Sequence, residues 1–348
     1  MSSTRTSPAV RALLAAMALC ASTTNADAAG LPACSLLIIS KTDHVLEVRR
    51  PDTLALLARI PLGPDPHEIA VARDGRTAWV SNPGYGSLHR IDVIDLVLGK
   101  AGMPLDTAPL LGPHGLAVVG DKLWFTAQGS KALGRYDPQA RAFDWTMGTG
   151  QDTTHMLHVD PGGKLVYATN PGSGSVSLFE QRMVAPTMPP TGVMPAGAKP
   201  RLDWVHTIVP VGQGAEGFDV SPDGRELWTV TPAGRIAIVD TATRELAATI
   251  DSGMDGAHRL AFTPDGRHVM VVSVKTGALQ VWDAGTRKLV KSLRTGRGAG
   301  IAMDAAGGRA FISCTPDDFV AVIDLASFTE TARLPVGRPD GIALAVRE

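Results

Sequence analysis

Four of the nine histidines in this chain stand in the same local setting. His67, His114, His155 and His258 each open a short apolar run, in "HEIAV", "HGLAVV", "HMLHV" and "HRLAF". Two acids hold the same place, Glu216 in "EGFDV" and Asp340 in "DGIALAV", and Ala299 holds it in "AGIAM". Imidazole is the commonest metal ligand and the usual general base near neutral pH. Three imidazoles on neighbouring elements, His67, His114 and His155, suit zinc, copper or iron with an open position. In an enzyme, His114, His155 and His258 are the candidates to move a proton.

What places these residues in register is a repeat. The segments from Ser221 to Ile250 and from Thr263 to Leu293 align over most of their length, and three further copies start at Ala72, Asp160 and Asp304. Each unit holds four runs of about five residues rich in Val, Ile, Leu, Trp and Ala, separated by turn residues, the pattern of short strands. Four antiparallel strands in roughly 40 residues make one propeller blade. Seven starts of the inner strand make seven blades, so the fold expected is an all-β, seven-bladed β-propeller. The chain enters on "LLIIS" at Leu36, a second strand without a first, and closes on "GIALAV" at Gly341, a first strand without a second. The C-terminal strand should therefore complete the N-terminal blade and close the ring.

With strands A to D ordered from the channel outward, the connection into A and the loop from B to C share one face, here the top. The seven in-register residues then ring the top mouth of the channel. Arg259, Arg297 and Arg338 lie in or beside the connections into strand A, and Lys41, Lys131 and Lys275 in the B-to-C loops. That distribution suits an anionic ligand. Tyr85, at the tip of "SNPGYGS", is a further candidate contact. Cys314 ends a B strand on the top face and Cys34 starts one at the bottom, so the two should remain free thiols. Blade four carries a Pro- and Met-rich insertion, residues 181–204, expected as a mobile loop on the bottom face.

Residues 1–28 read as a secretory leader: Arg5 and Arg11, the apolar run Ala12 to Ala21, and the small-residue site Ala26-Asp27-Ala28. Residues 29–348 are then one propeller domain, periplasmic or secreted and monomeric. No later run is long and apolar enough to enter a membrane. A net charge of −1 without a basic cluster argues against nucleic acid. Walker, dinucleotide, HExxH and nucleophile-elbow motifs are absent from the sequence.

The pattern "SPDGRELWTV…IAIVDTATRELAATI" resembles the YVTN-type (YncE-like) seven-bladed propellers over essentially the whole of residues 29–348. The stretch "GDKLWFTAQGSKALGRYDP" in blade three resembles a blade of the streptogramin (virginiamycin B) lyases. The first resemblance implies an exported propeller that binds a small molecule, a metal ion or a protein partner at its top face. The second implies the alternative, a metal-assisted lyase or lactonase with a histidine and a divalent metal at the channel mouth.

Overall fold

The computed structural model describes residues 31–347, so residues 1–28, expected to be a leader, lie outside the described residues. The fold is the expected one: seven antiparallel sheets arranged as the blades of a propeller, six of four strands and one, blade 2, whose outermost strand is split into two short pieces, Lys100–Ala101 and Leu105–Asp106. Blade 1 is shared by the two ends of the chain. Its inner strand is Pro339–Val346, followed outward by Cys34–Ser40, Val45–Arg49 and Leu56–Pro61. Leu36 pairs with Leu344 and Ile38 with Ile342. The inner strands of blades 2 to 7 are Ile69–Val71, Pro113–Val119, Leu157–Val159, Phe218–Val220, Ala257–Phe262 and Gly300–Asp304.

The hydrophobic pattern explains the stacking. Leu36, Leu37, Ile38 and Ile39 are all fully buried, although successive residues of a strand face opposite ways. Leu37 and Ile39 pack toward Ala78 and Val80 of blade 2, and Leu36 and Ile38 toward Phe311 and Val320 of blade 7. A sheet covered on both faces has no polar side to show, so its inner strands read as unbroken apolar runs. The outer strands are covered less and alternate, as in Leu289–Arg294. At the hairpins between the first two strands of blades 5 and 6, Gly224 and Gly266 take φ of +74° and +70° and close turns onto Ser221 and Thr263. This is the left-handed conformation for which the "PDG" turn needs glycine.

Two expectations are corrected. The insertion of blade 4 is not all loop: the strands Ser175–Val184 and Arg201–Pro210 run on through it, paired down to Val184 and Arg201, which leaves only residues 185–200 outside strands. The alternation in "QRMV" and "RLDW" carries that arm. Cys314 is free and buried, but Cys34 is disulfide-bonded, with its partner outside the described residues. The expectation of a free thiol thus fails for Cys34. A chain cut before Ala29 would hold only the cysteines Cys34 and Cys314.

Ring closure should be essential to stability. Deleting residues 339–346 removes Ile342, Leu344 and Ala345 from two interblade cores. At roughly 1.5–3 kcal/mol for each large apolar side chain, we expect the melting temperature to fall by at least about 10 °C. Differential scanning calorimetry of the truncated protein checks this, and an unchanged melting temperature would show that closure is dispensable.

Candidate functional site

The ring residues stand on a stitched backbone. The amides of His67, His155 and Ala299 bond to Ser81, Thr169 and Ser313 on the second strands of their own blades, at 2.8–3.0 Å. Their carbonyls are held by neighbouring blades. The Thr126 hydroxyl of blade 3 donates to the His155 carbonyl of blade 4 at 2.5 Å, and Thr169 of blade 4 to Glu216 of blade 5 at 2.7 Å. Ser313 of blade 7 does the same for Asp340 of blade 1. The amides of Gly115, Gly217 and Gly341 donate to the carbonyls of His155, His258 and His67. A Cβ on these glycines would lie 2.7, 2.6 and 2.4 Å from those same oxygens, so only glycine lets adjacent blades approach this closely.

On this frame the side chains meet at the mouth. The His67 and His114 rings lie 5.0 Å apart, and those of His114 and His155 stack at 3.7 Å. Glu216 follows, its Oε1 3.6 Å from His155 Nε2 and 3.4 Å from His258 Nε2. Lys41 closes the circle, with its Nζ 2.8 Å from His67 Nε2, 3.1 Å from Asp340 Oδ2 and 3.5 Å from Asp65 Oδ1. The Lys41 ammonium also lies 3.2 Å from His67 Nδ1, so it rests against the imidazole ring rather than on the Nε2 lone-pair axis, and His67 Nδ1 lies 3.0 Å from the Asp65 carbonyl. One level away, Arg259 of blade 6 reaches across to Glu68 of blade 2 at 2.5 Å, and its Nε donates to the Ala299 carbonyl at 3.1 Å.

Electrostatics follow from burial. His114 and His155 are only 4 % and 8 % exposed. Burial, and then its imidazole and cationic neighbours, hold His114 well below the ordinary histidine range. Burial brings His155 down to about 4 against the pull of Glu216, and it also lowers His258. Burial alone would raise Glu216, but His155, His258 and Arg259 outweigh it and hold the carboxyl at about 2. At neutral pH the site is therefore a carboxylate between neutral imidazoles. The Nδ1 atoms of His114 and His155 are buried without a hydrogen-bond partner. Burial raises Glu68, opposed by Arg259. Lower in the channel, Asp219 accepts the Phe262 and Val220 amides, and burial pushes its carboxyl up to about 6.

The structure thus assembles His67, His114, His155, Glu216, His258, Asp340 and Arg259, and leaves other candidates apart. Arg297 is committed to Asp317 and the Pro316 carbonyl on the rim of blade 7. The Arg338 amide caps Asp318. Tyr85 is 100 % exposed at its loop tip. Lys131 and Lys275 pair with Asp152 and Asp255 on the surface. Burial pushes the Cys314 thiol up to about 12, which removes it as a nucleophile. Among the described residues no group of three or more His, Cys, Asp or Glu side chains is arranged to hold a metal ion. The His114 and His155 rings lie 3.7 Å apart at an interplanar angle of 36°.

Sequence reasoning passed over Glu68 and Asp65 and gave Lys41 no special weight. Glu68 did carry a signal: the residue after the ring position is glycine in four blades (Gly115, Gly217, Gly300 and Gly341) and large only at Glu68, Met156 and Arg259.

The fold places the chain among the seven-bladed β-propellers. Residues 172–305 match the family model of the cytochrome D1 heme domain, well under half of the chain. A relative in Arabidopsis thaliana, a U3 small nucleolar RNA-associated protein 18 homolog, is 33 % identical over 130 residues, 36 % of this chain and 23 % of that protein. The chain therefore spans about a quarter of the length of that relative. Three solved structures share the fold. A functionally unknown protein from Desulfotomaculum acetoxidans DSM 771 superposes with a TM-score of 0.70 at 15 % identity, covering 90 % of this chain and 99 % of that one. A putative 6-phosphogluconolactonase from Bacteroides fragilis NCTC 9343 gives 0.67 at 13 %, covering 89 % and 97 %. The dihydro-heme d1 dehydrogenase NirN gives 0.60 at 15 %, covering 93 % and 78 %.

Two outcomes are expected. Gly217→Ala drives a Cβ into the His258 carbonyl and should cost roughly 1–3 kcal/mol in denaturant unfolding, with no loss if the blades simply part. Stability should also depend on pH through the ring. A histidine depressed in the folded state takes up its proton only on unfolding, so stability falls as pH drops from about 6.5 to 4 and levels off below. His155→Gln should make melting curves over that range less pH-dependent; an identical pH profile contradicts the assignment.

Proposed function

We propose that the protein is an exported propeller that binds a small ligand at its top mouth. The observation that carries this reading is the meeting of His67, His114, His155, Glu216, His258, Asp340 and Lys41 on a rigid ring, with two buried imidazole nitrogens left without partners. A buried polar atom without a partner costs about 1–3 kcal/mol, so a ligand that satisfies it is rewarded. The charge balance argues against an anion. Asp65, Glu68, Glu216 and Asp340 outnumber Lys41 and Arg259, and Arg297 is tied to Asp317. Export rests on the leader-like residues 1–28; among the described residues no helix is long and apolar enough to cross a membrane.

The likeness to haem d1 proteins raises a macrocycle as ligand. The residues do not fit one inside the channel. Side chains bridge the mouth from Lys41 round to His258, and Arg259 crosses to Glu68. A tetrapyrrole needs a slot that this ring fills.

A second reading, a lyase or lactonase, has its own support. Glu216 lies between two imidazoles, an arrangement suited to orienting a general base. In that reading His155 or His258 takes a proton from the substrate and Glu216 stabilises the imidazolium, with His114 beside them. A metal at His67, His114 and His155 is not required for this role.

A thermal-shift survey of the purified protein against metal ions, amines, carboxylates and lactones tests the main reading. A compound that raises the melting temperature should lose its effect in both His155→Ala and His258→Ala and keep it in Tyr85→Ala and Arg297→Ala. Stabilisation that survives both ring substitutions would place the ligand elsewhere, and turnover of a lactone would favour the second reading.

A further inference from the structure

The mouth already displays one ligand of its own making. The Lys41 ammonium sits in a nest of acceptors: His67 Nε2 at 2.8 Å, Asp340 Oδ2 at 3.1 Å and Asp65 Oδ1 at 3.5 Å. An ammonium carries three donors and no acceptor, so two carboxylates and the electron-rich imidazole beside them suit it.

The opposite wall repeats this chemistry without an ammonium. There one carboxylate, Glu216, is flanked by two imidazoles that turn the same atom, Nε2, toward it. The separations of 3.4 and 3.6 Å are longer than a good hydrogen bond. Among the described residues the Glu216 carboxylate has no hydrogen bond shorter than these two contacts. The nearby cation, Arg259, is spent on Glu68 and the Ala299 carbonyl. Beside Glu216, His155 is more than nine-tenths buried and faces the carboxylate through Nε2. This second nest has the charge and the acceptors of the first, and nothing in it plays the part of Lys41.

We infer that the Glu216, His155 and His258 nest binds a protonated primary amine, the ammonium seated as Lys41 is seated on the other wall. The inference rests on reading the mouth as a binding site and names the class of ligand. A primary ammonium donates to Glu216 and to the two Nε2 atoms once those imidazoles carry their protons on Nδ1. An alcohol of the same shape lacks the charge that Glu216 selects, and a carboxylate meets like charge.

Isothermal titration calorimetry on the full chain decides the matter, with n-butylammonium chloride as probe and n-butanol, sodium butyrate and zinc chloride as comparisons. We expect one equivalent of butylammonium to bind, butanol and butyrate to give no heat, and Glu216→Gln to weaken binding at least about tenfold. Lys41→Met should empty the first nest and raise the stoichiometry to two, which keeps the test open if the Glu216 variant folds poorly. Butylammonium that fails to bind, or binds Glu216→Gln as well as the parent, overturns the inference. Zinc or butyrate binding that depends on Glu216, without amine binding, also overturns it but leaves the mouth a binding site.

Discussion

The structure depends on how closely the inner strands pack where they enter the channel. At Gly115, Gly217 and Gly341 an amide of one blade meets the ring carbonyl of the next, with no room for a Cβ. Hydroxyls of Thr126, Thr169 and Ser313 bind ring carbonyls of neighbouring blades too. These contacts use main-chain groups that would otherwise be buried without partners. They also set the spacing of the side chains, because a ring residue cannot move without breaking a bond to its neighbour. Stacking of His114 on His155 at 3.7 Å follows from blades held this tightly.

That rigidity lets the site hold an unusual electrostatic state. Buried imidazoles lose their protons more readily than free ones, and a row of them excludes positive charge by mutual repulsion. Glu216 remains ionised among them, while Lys41 and Arg259 are each tied down by carboxylates. The mouth is thus rich in acceptors and carries more negative than positive groups. A mobile cluster would relax into ion pairs among its own members, whereas this one is kept slightly apart.

Much of this was legible in the sequence, for a physical reason. A repeat converts position in the chain into position in space, so His67, His114, His155, Glu216, His258 and Asp340 could be placed around one opening from their register alone. Closure by the final strand was legible because a lone inner strand has to find a sheet. What register could not reveal was which way a neighbouring side chain turns. Arg259 follows the ring residue of blade 6 and Arg297 comes two residues before that of blade 7, and register alone does not tell that one crosses the channel to Glu68 while the other leans out to Asp317. Lys41 and Asp65 reach the ring from loops, whose paths a strand pattern does not specify.

The central claim is a preformed mouth of neutral imidazoles around an ionised carboxylate. Long-range proton–nitrogen NMR of the histidine rings tests it most directly, because ring nitrogen shifts report both charge and tautomer. The account predicts that at pH 7 His114, His155 and His258 are uncharged, and that His155 gains a second proton only near pH 4. Ring histidines found as imidazolium at pH 7, or His155 titrating near 6.5 as in a solvated side chain, would contradict it.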